Sequence, residues 1–470
     1  MTALHRLLFL LALPPLLVVF PVHANPPSGA AQYQVLVPLA LVPASPSPFG
    51  FDLRDNIADT AIPYVRDARP RWVRAGDVLW SDIEPVRGGG YRWEVLAAID
   101  ANVRRLRAAG IEPTLIIQRT PTWAQRVPGR LCSPPKPEYI ADFELFAHAL
   151  AARYAGMVNY WEIGNEPDFA PSQVADSQGV GCWLDASLPN HGGAYYGEVV
   201  RRLVPAIKAG NPNAQVIAGA LMYGWPDDTI SRDFLSGILS SGAGTVIDAL
   251  SFHAYGEWGA GDLLIAKTVR IRQVLATYGY PNKPLFATEI AATCNGDTVA
   301  SCPPDFQRWK IRQANYAARI YAEALALNLK GAFWFTLAID NPGASFSHLI
   351  DETNGTLTPR PAYFAFLNSA RLLLGARYVG PPIQEPPLDQ LQKVQILTFR
   401  KPGSTLYVLW VPKTDFPVLY DLPIKAGAQA ICTDHLDESS PATYYCSDSN
   451  KDGIIPRAVN ELPQYVEVFS

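Results

Sequence analysis

Eight short apolar segments alternate with longer amphipathic ones, and this alternation constrains the fold of the 470-residue chain more than any other feature. The short segments have the length of buried strands, whereas the longer ones repeat apolar residues at helical spacing. One helical pattern runs through Leu96, Ile99, Val103 and Leu106 and ends at Gly110. The strand candidates are Gly50–Leu53, Trp72–Ala75, Pro113–Gln118, Met157–Ile163, Gln215–Ala220, Asp248–His253, Pro284–Glu289 and Gly331–Thr336.

Eight strand–helix units predict an α/β chain folded as a (β/α)8 TIM barrel, which we expect over residues 49–375. The alternative is an open, doubly wound parallel sheet. Such sheets often carry a Gly-x-Gly-x-x-Gly turn after a strand, and no such turn follows any of the eight segments. The barrel is therefore the favoured prediction.

The pattern changes after residue 375. We expect a Pro-rich linker over residues 376–387 and then a small antiparallel β-sandwich-like domain over residues 388–470. The strongest support is a hairpin pattern, because Val394–Phe399 and Thr405–Val411 alternate on either side of a Lys-Pro-Gly-Ser turn.

One segment of this domain, Asp448–Gly453, imitates the beginning of a calcium-binding loop. The twelfth position of that loop would be Val459, where a bidentate Glu is required. A polar hairpin turn is therefore the favoured interpretation.

The first 24 residues have the features of an export signal, with a basic start, the apolar run Leu7–Phe20 and small residues before Asn25. An uncleaved membrane anchor is the alternative, but the run is shorter than the roughly 20 residues of a spanning helix and contains two prolines. We therefore expect a secreted or periplasmic protein that is not membrane-bound after cleavage. Its N-terminal extension, residues 25–48, includes a partly alternating segment, Gln32–Val42, that could pair with the C-terminal domain.

Six cysteines in an exported chain predict three disulfides. The pairs closest in sequence are Cys294–Cys302 and Cys432–Cys446, which leaves Cys132–Cys182. Free buried thiols are the alternative, and a metal cluster is disfavoured because no Cys-x-x-Cys spacing exists. The last pair would join the loops at residues 120–138 and 168–193, which favours a closed pocket and cleavage at chain ends.

Charge and histidine spacing exclude several function classes. A net charge of -4 and the absence of a long Lys or Arg run argue against a nucleic-acid partner. The seven His residues show no paired ligand spacing, so a metal-dependent hydrolase is disfavoured and no cofactor is expected. The sequence does not indicate an oligomeric state.

Polar side chains stand at the C-terminal ends of the predicted strands, where a barrel of this kind has its active site. Two of them are carboxylates, Glu166 after the fourth strand and Glu289 at the end of the seventh. Two carboxyl groups about 5 Å apart across the mouth suit hydrolysis of a glycosidic bond with retained configuration, whereas a wider gap suits inversion. The other strand-end candidates are Asn165, His253, Tyr255 and Trp334.

A buried carboxylate at Glu289 needs a partner, and Arg74 on the second strand is the candidate, because a buried Arg is costly unless it is paired. The Tyr255 hydroxyl is a second donor. The alternative is that these three residues form only a buried ion-pair network. Two further acids are interpreted as structural, since Glu162 lies within its strand and Glu84 precedes a proline in a loop, and Asp168 is interpreted as a solvated loop residue.

At residues 50–375 the chain resembles the retaining glycoside hydrolases of clan A, and most of all family 39 and its cellulase-like relatives. The most specific segment is Tyr160–Pro167, which reads Tyr-Trp-Glu-Ile-Gly-Asn-Glu-Pro. A second similar stretch contains Trp80, Ile83-Glu84-Pro85 and Gly90-Tyr91-Arg92-Trp93. The C-terminal tail resembles the small β-domain that often accompanies such barrels.

The resemblance implies that Glu166 is the general acid/base, that Glu289 is the nucleophile and that Asn165 binds the sugar 2-hydroxyl. His253, Tyr255 and Arg74 would support them, and Trp334 would form the floor of the subsite for the reacting sugar. Trp80, Trp123 and Trp258 are further candidates for stacking on a sugar face.

The sequence therefore predicts a secreted retaining β-glycosidase that acts on a glycoside, an oligosaccharide or a polysaccharide. The alternative is a barrel that binds carbohydrate, or associates with a cell wall, without turnover. Hydrolysis of aryl β-glycosides separates the two hypotheses.

Overall fold

The chain folds as a closed barrel of eight parallel strands that are hydrogen-bonded in chain order. The computed structural model describes residues 47–53, 61–175, 179–223, 229–257, 263–293, 306–339, 347–383, 391–414 and 416–469. The barrel strands are β1 (Phe49–Asp52), β2 (Trp72–Leu79), β3 (Glu112–Gln118), β4 (Tyr160–Ile163), β5 (Gln215–Leu221), β6 (Ala249–Glu257), β7 (Leu285–Thr293) and β8 (Gly331–Phe335). Each of the eight predicted strands is present, and the barrel prediction is confirmed.

Helices cover the outside of the barrel. They are α1 (Ile62–Ala68), α2 (Trp80–Ile83), α3 (Ala97–Ala108), α4 (Ile140–Arg153), α5 (Gly193–Gly210), α6 (Thr229–Ser240), α7 (Ala243–Val246), α8 (Leu263–Thr277), α9 (Phe306–Ala326) and α10 (Pro361–Leu372). α4 shows why they pack there, because Phe143, Phe146, Ala147 and Leu150 lie on one helix face and are all buried.

Large side chains fill the N-terminal half of the barrel interior. This group contains Trp72, Tyr160, Ile217, Ala249, Phe286 and Phe333, all within the first three positions of their strands. The Trp72 ring meets the rings of Tyr160 and Phe286 edge to face. Since this end is packed, a substrate can enter only from the C-terminal ends of the strands.

Three strands extend beyond their predicted ends. β2 continues past a register shift between Arg74 and Gly76, and β6 and β7 reach Glu257 and Thr293. The fourth strand is shorter than predicted because Met157 to Asn159 form the turn that follows α4. Apolar composition alone did not separate those turn residues from the strand.

A small sheet that the sequence did not predict follows β8. It contains β9 (Ala338–Ile339), β10 (Ile350–Thr353) and β11 (Thr356–Pro359). Strands of two to four residues are too short to show an alternating pattern. Arg360 anchors the sheet by donating from Nη2 to Asp351 at 2.6 Å.

The C-terminal residues form two antiparallel sheets that face each other across a separate apolar core. Six strands pair in the order β12 (Arg377–Tyr378), β13 (Gln395–Lys401), β14 (Ser404–Trp410), β19 (Gln464–Phe469), β16 (Ala430–Asp434) and β17 (Ala442–Tyr445). The second sheet pairs β15 (Val418–Pro423) with β18 (Ile454–Val459). The predicted sandwich and its β13–β14 hairpin are confirmed.

This sandwich packs directly on the barrel. The Tyr465 hydroxyl donates to the carbonyl of Ala318 on α9 at 2.8 Å, and the Asn368 amide on α10 donates to the carbonyl of Leu436 at 2.8 Å. β12 lies within the predicted linker and pairs with β13. The domain boundaries themselves stay a prediction.

Asp448–Gly453 is a turn, but the prediction of a hairpin is wrong, because the turn connects β17 of one sheet to β18 of the other. The Asp448 carboxylate accepts backbone N–H groups of Gly427 and Gly453, each at 2.8 Å. The signal segment, Gln32–Val42, Trp258 and the Cys294–Cys302 pair lie outside the described residues. Among the helices described, none is both long enough and apolar enough to span a bilayer.

Candidate active site

Glu166 is held by an unusual turn at the end of β4. Gly164 and Glu166 both have positive φ angles, 75° and 48°, and Pro167 then prevents further strand pairing. The Glu166 N–H donates to the carbonyl of Ala220 at the end of β5 at 2.9 Å, which fixes the turn. A non-glycine residue in this conformation is strained, and such strain concentrates at functional sites. Glu166 is only 7% exposed.

Glu289 lies on β7 at a shift in its register with β8. It is almost fully buried, and both carboxylate oxygens are hydrogen-bonded. Oε1 accepts from Arg74 Nη1 at 2.5 Å, and Oε2 accepts from the Tyr255 hydroxyl. A charged donor and a hydroxyl donor favour the ionised form of a carboxyl group.

His253 on β6 joins the two carboxylates. Its Nδ1 lies 2.6 Å from Glu166 Oε1 and 3.6 Å from Glu289 Oε2. One oxygen of each glutamate and one nitrogen of the histidine all lie within 4.8 Å of one another. The structure thus brings together three of the predicted strand-end residues.

Arg74 connects four segments of the barrel through one guanidinium group. Its partners are Asp52 (2.8 Å), Glu162 (2.8 Å), Asn165 (2.7 Å) and Glu289 (2.5 Å). Burial by itself lowers the pKa of Arg74, but the charges of Glu162, Asp52 and Glu289 outweigh it and raise the pKa well above its usual value. Arg74 thus stays charged and compensates three buried carboxylates.

Glu162 makes the buried hydrogen bonds within the barrel that the sequence predicted. Oε1 accepts from Ser251 at 2.5 Å and from Thr288 at 2.8 Å, and Oε2 accepts from Arg74. Asp52 was not predicted. Its one sequence signal is an acidic residue at the end of the apolar strand Phe49–Asp52.

Replacement of Arg74 by methionine should lower the free energy of unfolding by about 3–5 kcal/mol, because it leaves buried carboxylates uncompensated. Urea denaturation measures this change. The matched control is Arg87→Met, which removes a surface pair with Asp142 in which the Arg87 side chain is 56% exposed. Equal losses in both variants would show that the buried network is not important for stability.

The structure corrects the prediction for Asp168, which is buried rather than solvated. Its carboxylate accepts the N–H groups of Met222 at 2.9 Å and Tyr223 at 2.8 Å. Burial raises the pKa of Asp168, and the two backbone hydrogen bonds oppose that rise. Asp168 therefore connects the turn after β4 to the end of β5.

The prediction that Trp334 forms the floor of the sugar subsite is also wrong. Its ring is fully buried, and Nε1 donates to the carbonyl of Ser347 at 2.8 Å. The ring faces α9, where its centroid lies 6.0 Å from that of Tyr316. Phe335 points to the opposite side, 6.1 Å from the Tyr255 ring, because successive strand residues alternate. The alternation counted from Phe333 would have identified Phe335.

Trp80 and Trp123 belong to an aromatic cluster at the C-terminal end of β2. Trp80 is 1% exposed, stacks on Phe143 at 4.5 Å and donates to Glu84 Oε2 at 2.9 Å, so it is not available to a sugar. Trp123 is half-buried and donates to the Glu84 carbonyl. Its proposed stacking role stays a prediction, and Glu84 is structural.

Two of the predicted disulfides, Cys132–Cys182 and Cys432–Cys446, are confirmed. The first ties the loop after β3 to the loop after β4 and borders a crevice beside Asn165. Gln118 also lines this crevice, and its buried Nε2 has no partner within the described part of the chain. Gln118 was not predicted, because an amide at a strand end is a weak signal.

Glu166, His253 and Glu289 are also the described residues that could converge on a cation. Both oxygens of Glu289 already accept hydrogen bonds, and the Arg74 charge lies against one of them. These contacts compete with a cation for the Glu289 oxygens. The expectation that the site needs no metal stays a prediction.

Comparison with known proteins identifies similar folds but no similar sequence. No protein-family model matches the chain, and no curated protein matches it in sequence. Among solved structures, a family 39 glycoside hydrolase from Bacteroides cellulosilyticus WH2 is 18% identical, with a TM-score of 0.66 over 91% of this chain and 81% of that one. The similarity inferred from the sequence is thereby confirmed for the fold.

Two other structures extend the comparison. The family 39 enzyme from Xanthomonas axonopodis pv. citri is 16% identical, with a TM-score of 0.57 over 91% of this chain and 95% of its own. A family 30 endoxylanase from Clostridium papyrosolvens C71 is 12% identical, with a TM-score of 0.59 over 91% of this chain and 97% of its own. Identities this low establish a shared fold and leave the chemistry to be argued from the site.

Proposed function

We propose that the protein is a retaining glycoside hydrolase that cleaves β-glycosidic bonds, with Glu166 as general acid/base and Glu289 as nucleophile. The observation that carries the proposal is the approach of the two glutamates, whose nearest ligand oxygens lie within 4.8 Å of each other with His253 between them. Retaining enzymes hold their carboxyl groups about 5–5.5 Å apart, and inverting enzymes need about 6.5–9.5 Å.

The two environments support different roles for the glutamates. Glu289 faces the Arg74 cation and the Tyr255 hydroxyl, which favour the ionised group that an attack on the anomeric carbon requires. Glu166 instead faces the imidazole ring of His253, whose Nδ1 lies 2.6 Å from Glu166 Oε1. This difference suits a proton donor beside a nucleophile.

In the first step Glu289 attacks the anomeric carbon while Glu166 gives its proton to the departing oxygen. A glycosyl ester with Glu289 forms, and the glycosidic bond breaks. In the second step Glu166 takes a proton from water, the water oxygen bonds to the anomeric carbon, and the ester bond to Glu289 breaks. We assign Asn165, whose Oδ1 accepts from Arg74 Nη2 at 2.7 Å, to binding the sugar 2-hydroxyl.

We further propose that the protein is secreted. The predicted signal segment and the Cys132–Cys182 and Cys432–Cys446 disulfides support an oxidising compartment. The closed pocket and cleavage at chain ends stay predictions, because the disulfide describes only one wall of the mouth.

Proton NMR of a hydrolysed aryl β-glycoside tests the proposal, with a panel that varies the sugar. We expect the β-anomer of the released sugar to appear first and the α-anomer to follow by mutarotation. Initial release of the α-anomer would contradict the retaining mechanism. Carbohydrate binding without hydrolysis of any substrate in the panel would favour the non-catalytic alternative.

A further inference from the structure

A buried lysine lies beneath the proposed acid/base. Lys267 on α8 is 2% exposed, and its ammonium group donates to the carbonyls of Met222 at 2.6 Å and His253 at 3.0 Å. An ammonium group loses much of its hydration when it is buried, so its position requires compensation. The compensation comes from backbone oxygens just after β5 and within β6 and from nearby anions.

One of these anions is Asp168, which acts on Lys267 through a single peptide group. The carbonyl of Met222 accepts from Lys267, and the N–H of the same peptide, which belongs to Tyr223, donates to Asp168 at 2.8 Å. The peptide dipole is therefore aligned between a cation and a carboxylate. Both charges fix the turn at the end of β5.

Asp168 and Lys267 are connected to the proposed acid/base, Glu166, by two separate routes. Asp168 lies two residues after Glu166 on the same strained turn, and Lys267 binds the backbone of His253, whose ring contacts Glu166. A displacement of Lys267 would therefore move the turn that carries Glu166 and the ring that contacts it.

We propose that Lys267 is a positioning residue for proton transfer by Glu166, acting through the Met222–Tyr223 peptide and the His253 backbone. The inference rests on the proposed function and extends it to a residue that does not touch the substrate.

Lys267 is positively charged across the neutral pH range. Burial lowers its pKa to about 8, while Asp168 and Glu166 oppose that shift. In the described surroundings of its ammonium group, these two carboxylates are the titratable groups whose charges act on it. Above pH 8 the wild-type protein loses this charge and should behave increasingly like a variant without it.

The test compares wild type, Lys267→Met and the control Lys208→Met, which removes a half-exposed lysine paired with Asp248 at 2.9 Å. The substrates are a dinitrophenyl glycoside, whose leaving group departs without a proton, and an alkyl glycoside of the same sugar, whose leaving group needs one. Lys267→Met should slow the alkyl substrate at least about tenfold more than the dinitrophenyl substrate, since general acid catalysis contributes about 10²–10⁴-fold. The change in wild-type kcat/KM on the alkyl substrate near pH 8, where Lys267 loses its charge, should be absent from the pH profile of Lys267→Met.

The double variant Lys267→Met/Asp168→Asn covers the case in which the single variant does not fold, because it removes both buried charges together. It should fold and keep the selective loss on the alkyl substrate. Equal losses on both substrates with an unchanged pH profile would overturn the inference and leave the proposed function intact. A wild-type protein that hydrolyses neither substrate would overturn the proposed function and, with it, this inference.

Discussion

Replacement of Glu289 by alanine is expected to abolish turnover, with kcat reduced by at least about 10⁴-fold on every glycoside that the protein hydrolyses. Without the carboxylate no glycosyl ester can form, and a better leaving group cannot compensate for that loss. Steady-state rates with a dinitrophenyl glycoside measure the loss most sensitively. Glu94→Ala, at a residue whose side chain is 72% exposed, is the control and should keep the wild-type rate.

A second measurement identifies the residue directly. A 2-deoxy-2-fluoro glycoside with a good leaving group should form a long-lived ester, because the fluorine slows its hydrolysis. Mass spectrometry should then find one added sugar on the peptide that contains Glu289. Attachment of the sugar to another residue, or an active Glu289→Ala variant, would refute the assignment.

Replacement of Glu166 by alanine should give a loss that depends on the leaving group. Substrates with poor leaving groups should lose about 10²–10⁴-fold, because their departing oxygen needs a proton. A dinitrophenyl glycoside should still form the ester, which then accumulates because no base activates water. The accumulation should appear as a burst of dinitrophenol followed by a slow steady state.

Azide provides the decisive control for Glu166, because a small anion can occupy the space of the missing carboxylate and attack the ester without a base. We expect azide to accelerate the steady state of Glu166→Ala and to yield a β-glycosyl azide, whereas any azide product of Glu289→Ala should be the α-anomer. An α-azide product from Glu166→Ala, or the same product from both variants, would reverse or remove the proposed roles.

The barrel and the proposed catalytic pair could be predicted because their signals are local. Each strand is a short apolar run, and parallel strands place their last residues at one end of the barrel whatever the loops do. Glu166 and Glu289 follow such runs directly, so their convergence required the strand order alone. The Cys132–Cys182 bridge followed by elimination from the other cysteines.

The remaining features depend on details of register and packing that composition does not contain. Trp334 and Phe335 are adjacent aromatic residues, and one step of alternation decides which of them faces the mouth. Asp168 looked solvated because it follows a proline in a loop, whereas its partners just after β5 are 54 and 55 residues away. Lys267 lies in an ordinary helical pattern, and its burial follows from the position of α8 against β6.

The arrangement around Arg74 limits how such a protein can be engineered for heat resistance. Elsewhere, exchanging a buried ion network for well-packed apolar side chains can raise stability by about 1–4 kcal/mol. Here the same guanidinium braces Asp52 and Glu162 and also orients Glu289 and Asn165. In a library that randomises position 74, variants that lose the ion network would also lose activity, so an activity screen would discard them. Gains in heat resistance should therefore be sought on the outer helices and the C-terminal sandwich.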